Sequence, residues 1–156
     1  MTPADMERDQ RPWATTEPGR LVGRGHPAGD FLEAWAWDLL EGADGHLRIS
    51  AHVPDHLRNL RGELFGGFTP TYADLIALFT VRSCAQRGGS TDRPMLATTS
   101  MQVDYFAPIV DPRMILDSHR ELHRGRTHFV LTRFVQDGEL AAIAATTMRE
   151  ISIGPS

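Results

Sequence analysis

Cys84 is the only cysteine in 156 residues, so no disulfide can form within the chain and a reducing compartment fits. No segment is apolar over a length that would span a bilayer. The opening stretch, "MTPADMERDQRPWATTEPGR", is charged and proline-containing and lacks the apolar centre of a signal peptide, so a cytoplasmic protein is expected. The 16 basic residues are scattered among 20 acidic ones, giving a net charge of -4. That balance carries no electrostatic footprint for nucleic acid, and no run of like charge marks a tail or a membrane patch. Internal repeats are absent too. What remains is ordinary for one soluble domain: 41% hydrophobic and 23% charged residues, in a length that supports one real core.

Residues 1 to 27, rich in Pro, Gly and charge, read as a loosely ordered arm, with Trp13 as a point that pins it to the body. Residues 28 to 153 then form a single domain. Residues 31 to 41 read either as a helix or, from the alternation of Trp35, Trp37 and Leu39, as a strand. After the turn signal "GADG", Leu47, Ile49, Ala51 and Val53 alternate with polar residues, which predicts a strand over 46–53 and a hairpin. "FTPTYADLIALFTVRSCAQRGG" predicts the one long helix. Thr69 is its expected N-cap, Pro70 suits its first position, Tyr72, Ile76 and Phe79 share a stripe, and Gly88-Gly89 supply the stop.

Strand patterns fill the rest. Met95, Ala97, Thr99, Met101, Val103 and Tyr105 alternate up to Pro108; further runs begin at Met114 and Thr127. "ELAAIAATTMREISI" reads as a final buried strand, although its alanines permit helix on propensity. The order is a hairpin, one helix, then three or four strands in meander, an α+β design.

The stretch "NLRGELFGG", residues 59–67, concentrates three glycines directly ahead of the helix. No lysine follows as a phosphate loop requires, and no parallel βαβ unit surrounds it as a dinucleotide fingerprint requires. Two readings stay open: a tight loop-to-helix turn, or helix N-terminal amides left bare for a ligand carbonyl. Asp74 sits among Ala73, Leu75, Ile76 and Ala77, where a partly buried carboxylate with a raised pKa is expected; the helix dipole alone would also favour an early acid. "HRELH" at 119–123 is not a His-Glu-x-x-His helix, and with no third ligand in view it is read as surface histidines on one strand face, with no metal. Cys84 reads as a packed thiol, and no Gly-x-Ser-x-Gly elbow is present.

Taken together, Asn59, Gly62, Phe65, Gly66 and Gly67, followed after six residues by Asp74, resemble the Asn-x-x-Gly-x-x-His-Gly-Gly…Asp pattern of the hotdog-fold acyl-CoA thioesterases, in their phenylacetyl-CoA thioesterase-like branch. "TTSMQVDYFAP" and "GRTHFVLTRFV" resemble two of that family's strands, so the likeness covers about residues 31 to 152. It implies a hotdog fold, one long central helix wrapped by a five- to six-stranded antiparallel sheet. It implies hydrolysis of an acyl-CoA or related thioester, with coenzyme A as part of the substrate and no separate cofactor. Asp74 matches the catalytic carboxylate, as general base on water or as nucleophile. Gly66 matches the residue whose N–H polarises the thioester carbonyl, beside Gly67, and Asn59 matches a polar residue that positions thioester or water. Thr98 falls where relatives hold the nucleophilic water. Arg124 and Arg126 are candidates for the coenzyme A phosphates by charge and position. The family builds its site across a dimer, with dimers often pairing into tetramers. Phe65 departs from the pattern, standing where the family has histidine. The rival readings are a non-catalytic acyl-thioester-binding or regulatory protein of the same fold, and a hotdog dehydratase, which wants an Asp/His pairing that this helix lacks.

Overall fold

The structure, a computed structural model, describes residues 17–85 and 95–152. Trp13 and Gly88-Gly89 lie outside them. A short helix α1 (Pro27–Phe31) and a 3-10 turn (Ala34–Ala36) precede the hairpin β1 (Asp38–Ala43) and β2 (His46–His52). The long helix α2 (Thr69–Ala85) follows, then β3 (Met95–Tyr105), β4 (Arg113–Arg124), β5 (Thr127–Gln136) and β6 (Glu139–Ile151). One antiparallel sheet holds all six strands in the order β1-β2-β4-β5-β6-β3 and wraps α2. This is the α+β hotdog arrangement, with six strands. Among the described residues, no helix is long and apolar enough to cross a membrane.

The core lies between α2 and the concave sheet face. Leu47, Ile49 and Ala51 on β2, Met114 and Leu116 on β4, and Phe134 on β5 point at the helix, as period-2 alternation requires. They meet Tyr72, Ile76 and Phe79, the stripe read from sequence. Trp37 stacks on Tyr72 at 5.7 Å between ring centroids, and the Tyr72 hydroxyl donates to the His52 carbonyl at 2.9 Å. Large side chains buried in this way contribute roughly 1.5–3 kcal/mol each. One polar knot is tolerated because its hydroxyls find partners: Thr80 and Thr132 lie 2.8 and 3.1 Å from Ser118 Oγ, and the Thr80 hydroxyl also reaches the Ile76 carbonyl at 2.8 Å.

Several expectations need correction. Residues 31 to 41 are neither one helix nor one strand; α1 ends at Phe31, a 3-10 turn intervenes, and β1 starts at Asp38. Thr69 is not an N-cap. Its φ/ψ of -54/-44 is already helical, because the 3-10 turn Gly66–Phe68 runs straight into α2. The strands after α2 do not form one meander: β4, β5 and β6 do, but β3 pairs only with β6 at the far edge. The link from Tyr105 to Arg113 carries the chain back across the sheet end, with Phe106 and Ala107 donating to the Ala141 carbonyl. The final segment is a strand despite its alanines, since it is paired on both sides and its small Ala142 and Ala144 make room for the helix. In the segment read as an arm, Val22 is buried in the core and Leu39 donates to the Gly19 carbonyl at 2.8 Å.

Candidate active site

The residues 59–67 are shaped by hydrogen bonds internal to the loop. Asn59 Oδ1 accepts from the N–H of Arg61 and of Glu63, at 2.9 and 3.1 Å, and its Nδ2 donates to Glu63 Oε2. Those bonds, from Asn59 first and Arg61 second, hold the Glu63 carboxyl below the usual carboxylate range. Gly62 adopts φ +76, the conformation that favours glycine. Arg58 then ties the loop to its neighbours, donating to the carbonyls of Gly62, Val53, Val110 and Asp111. Asn59 is therefore occupied with the loop, and Gly62, not Gly66 or Gly67, is the glycine that backbone geometry demands.

Gly66 and Gly67 open the 3-10 turn that leads into α2. Among the described residues, neither N–H donates a backbone hydrogen bond, as expected for the first amides of a helical run. The Tyr105 hydroxyl donates to the Gly66 carbonyl at 2.5 Å, fixing the peptide from the end of β3. A Cβ at Gly66 would lie 3.6 Å from the Tyr105 ring, an ordinary contact, whereas one at Gly67 would meet Phe65 at 3.0 Å. Phe65 is 54% exposed and leans on Phe68. A groove of about 490 Å³ runs past Asn59, Phe65, Gly66, Tyr105 and Pro108.

Asp74 lies one turn and more into α2, and contrary to expectation it is exposed. Its neighbours Tyr72, Ala73, Leu75, Ile76 and Ala77 are buried, so Asp74 occupies the strip of helix that its own sheet leaves uncovered. The Thr98 hydroxyl on β3 donates to Asp74 Oδ1. A register shift between Thr98 and Ser100 makes this contact: it breaks the even alternation read from sequence, setting Leu96 and Thr98 on the helix side together with Met101 and Val103. Asp74 and Thr98 line a hollow of about 220 Å³ with Leu75, Leu78, Leu96 and Met148. This hollow shares no lining residue with the Gly66 groove. Arg124 and Arg126 are exposed on the β4–β5 turn. Their strand leads back, two residues on, to His128, which pairs with Met148, which pairs with Thr98.

Sequence reading missed Tyr105 and Arg58 as partners of the loop, and His26 as a wall of the Asp74 hollow. It also placed His119 and His123 on one face. A bulge between Arg120 and Leu122 turns them to opposite faces, and each meets a different cluster. His119 stacks on His46 at 3.8 Å and both reach Asp117; His123 stacks on His128 at 4.2 Å, and His128 reaches Glu150. So a third candidate ligand does stand beside each pair. With the rings parallel, their in-plane lone pairs run side by side instead of converging on a point; Nε2 of His46, His119 and His128 bonds a carboxylate, and Nε2 of His123 bonds the Gly125 carbonyl.

Comparison with known proteins bears on this geometry. No curated protein matches the chain. Among solved structures, a phenylacetic acid degradation-related protein of Ralstonia eutropha JMP134 superposes with a TM-score of 0.66 at 19% identity, over 80% of this chain and 91% of that one. The E. coli PaaI protein of the phenylacetic acid degradation operon gives 0.67 at 12% identity, over 82% and 86%. A protein of Streptococcus pneumoniae TIGR4, described as a hypothetical thioesterase and solved with coenzyme A, gives 0.64 at 19%, over 74% and 86%. These likenesses establish the fold. The family model of the thioesterase superfamily matches residues 61–143, more than half of the chain, and spans Gly66, Asp74 and Thr98. The chain belongs to the thioesterase superfamily.

Proposed function

We propose that this protein hydrolyses an acyl-CoA or related thioester to the free acid and thiol, at sites shared between two copies of the chain. The observation that carries the reading is the separation of the two half-sites. Gly66 and Asp74 lie eight residues apart on one helical run, roughly 12 Å at 1.5 Å per residue. One thioester carbon cannot be within reaction distance of both in a single chain, which agrees with two hollows that share no lining. A second copy resolves the difficulty. The edge strand β3 is 11 residues long and pairs on one side only, a template for joining another chain. Asp74 of one copy then faces Gly66 of the partner subunit.

In that arrangement Asp74 takes a proton from water as the water adds to the thioester carbonyl, or attacks the carbonyl itself to give an acyl-Asp74 anhydride that water then hydrolyses to the free acid. The oxyanion forms at the bare Gly66 N–H, where the helix N-terminus favours negative charge. The C–S bond then breaks and the thiolate leaves, taking up a proton. Thr98 orients the carboxylate or its water, and Asn59 contributes by holding the loop that presents Gly66. Phe65 and Gly67 line the approach to that amide. Arg124 and Arg126 meet phosphates of the coenzyme A moiety, a ligand type supported by the coenzyme A in the streptococcal structure.

A second reading, binding without turnover, draws on one observation: Phe65, exposed beside the amides, offers no polar group there. Free-thiol release from a panel of acyl-CoAs, for wild type, Asp74→Ala and Asp74→Asn, decides between them. Turnover by wild type and its loss in both variants supports hydrolysis. Binding of CoA esters without release by wild type supports the second reading.

A further inference from the structure

The groove past Gly66 has an apolar lining to which hydrolysis alone gives no task. Leu64, Phe65, Phe106, Ile109 and Ala142 line it beside Gly66. Its polar neighbours are engaged within the loop. Asn59 Oδ1 accepts from the Arg61 and Glu63 N–H groups, the Arg61 guanidinium donates twice to Glu63 Oε2 at 3.1 and 2.7 Å, and the Tyr105 hydroxyl serves the Gly66 carbonyl. The opposite charges of Arg61 and Glu63 largely cancel at a distance, so the pair offers little to a phosphate. The aromatic residues of the groove, by contrast, are uncovered: Phe65, Tyr105 and Phe106 are 54%, 53% and 63% exposed. Exposed apolar residues gathered along one groove mark a place where something apolar is bound.

A thioester carbonyl bound at the Gly66 N–H carries two substituents, the acyl group and the sulfur of coenzyme A, and they leave the carbonyl carbon in different directions. The arginines lie on the other side of the site: the strand register leads from Thr98, beside Asp74, through Met148 and His128 to the turn that holds Arg124 and Arg126. We propose that the groove beside Gly66 is the acyl subsite and selects an uncharged, apolar acyl group of medium length, while coenzyme A extends past Asp74 of the partner subunit. This rests on the thioesterase reading and adds to it the direction in which the substrate lies and the class of acid released. A groove of about 490 Å³ is far larger than an acetyl methyl fills. Phe106 is the specificity-determining residue. Its N–H donates to the Ala141 carbonyl at 2.8 Å, a backbone bond that a change of side chain leaves in place.

The test compares acetyl-CoA with octanoyl-CoA for wild type, Phe106→Ala and Phe106→Leu, with free coenzyme A as inhibitor and the dimer dissociation constant measured by sedimentation. Wild type is expected to favour octanoyl-CoA in kcat/KM. Phe106→Ala should reduce that preference about tenfold, as for one aromatic contact with a buried chain, and Phe106→Leu should restore most of it. Inhibition by free coenzyme A should be the same in all three. Equal kcat/KM of wild type for the two esters would overturn the proposal. So would a Phe106→Ala loss that is the same for both esters and for coenzyme A, since the pantetheine arm would then occupy the groove. A weaker dimer with an unchanged preference would overturn it too, because the partner subunit would then be what covers the rings. No thiol release by wild type from either ester or from a wider acyl-CoA panel would remove the thioesterase reading itself, and this inference with it.

Discussion

Thr98, on the edge strand, donates its hydroxyl to Asp74 on the long helix, and the bulge just after Thr98 turns the side chain to that face. A threonine held this way fixes one carboxylate oxygen and leaves the other to act. Thr98→Val keeps the shape and removes the donor, so kcat should fall about tenfold, near the lower end of a bond to a charged group, with KM little changed. Thr98→Ser should retain most of the rate. Steady-state thiol release on both variants reads the difference, and equal rates in wild type and Thr98→Val would remove Thr98 from the site.

This contact also marks the limit of what the sequence conveyed. The α2 stripe, the β2 alternation and the spacing from Gly66 to Asp74 were legible because each is a local pattern with a fixed period. The bulge at Thr98 was not, since one extra residue reverses facing without changing composition. The same blindness put His119 and His123 on one face. Thr69 was misread as a cap because a polar residue before proline looks the same whether or not a 3-10 turn precedes it. The place of His26 in the wall of the Asp74 hollow was invisible because it is a fact of tertiary packing.

Gly66→Ala tests the bare amide. The added Cβ meets the Tyr105 ring at 3.6 Å, which the fold tolerates, so the thermal midpoint should stay near wild type. The methyl crowds the carbonyl that approaches the N–H, and kcat should drop on the order of 10²-fold, as when an oxyanion donor is lost. Tyr105→Phe, which frees the Gly66 carbonyl, should show a smaller loss in kcat without unfolding. A Gly66→Ala enzyme with wild-type kcat would mean that the oxyanion is bound elsewhere.

Arg58 is a prediction about stability. Its side chain is 13% exposed and serves four carbonyls, two of them in the link that follows β3. Arg58→Ala strands those acceptors and should cost on the order of 3 kcal/mol, lowering the thermal midpoint by roughly 6–12 °C. Arg58→Lys should recover little, because one ammonium cannot span the fork of acceptors. Calorimetry on the two variants checks this; a midpoint within a degree or so of wild type for Arg58→Ala would contradict it.

Acid should destabilise the protein in a defined window. Burial is the main cause that lowers the pKa of both His26 and His128 from 6.5; Glu150 opposes it at His128, while His123 and Arg120 reinforce it. The folded state then binds fewer protons than the unfolded state, so these groups contribute fully above pH 6.5 and that contribution is lost as pH falls through their folded-state values. Urea unfolding from pH 7.5 down to 5 should show stability falling below 6.5, with a shallower fall in His128→Phe. A His128→Phe curve parallel to wild type would exclude His128 as a source.

The most direct test of a site shared between copies is complementation. Asp74→Ala and Gly66→Val, each inactive alone, are co-expressed so that chains assort at random. If Asp74 acts with Gly66 of the partner subunit, a mixed dimer rebuilds one intact site, and the mixture should recover about a quarter of wild-type thiol release per chain. If the two residues act within one chain, mixing restores nothing, and no recovery in a mixture shown to contain heterodimers would contradict the account.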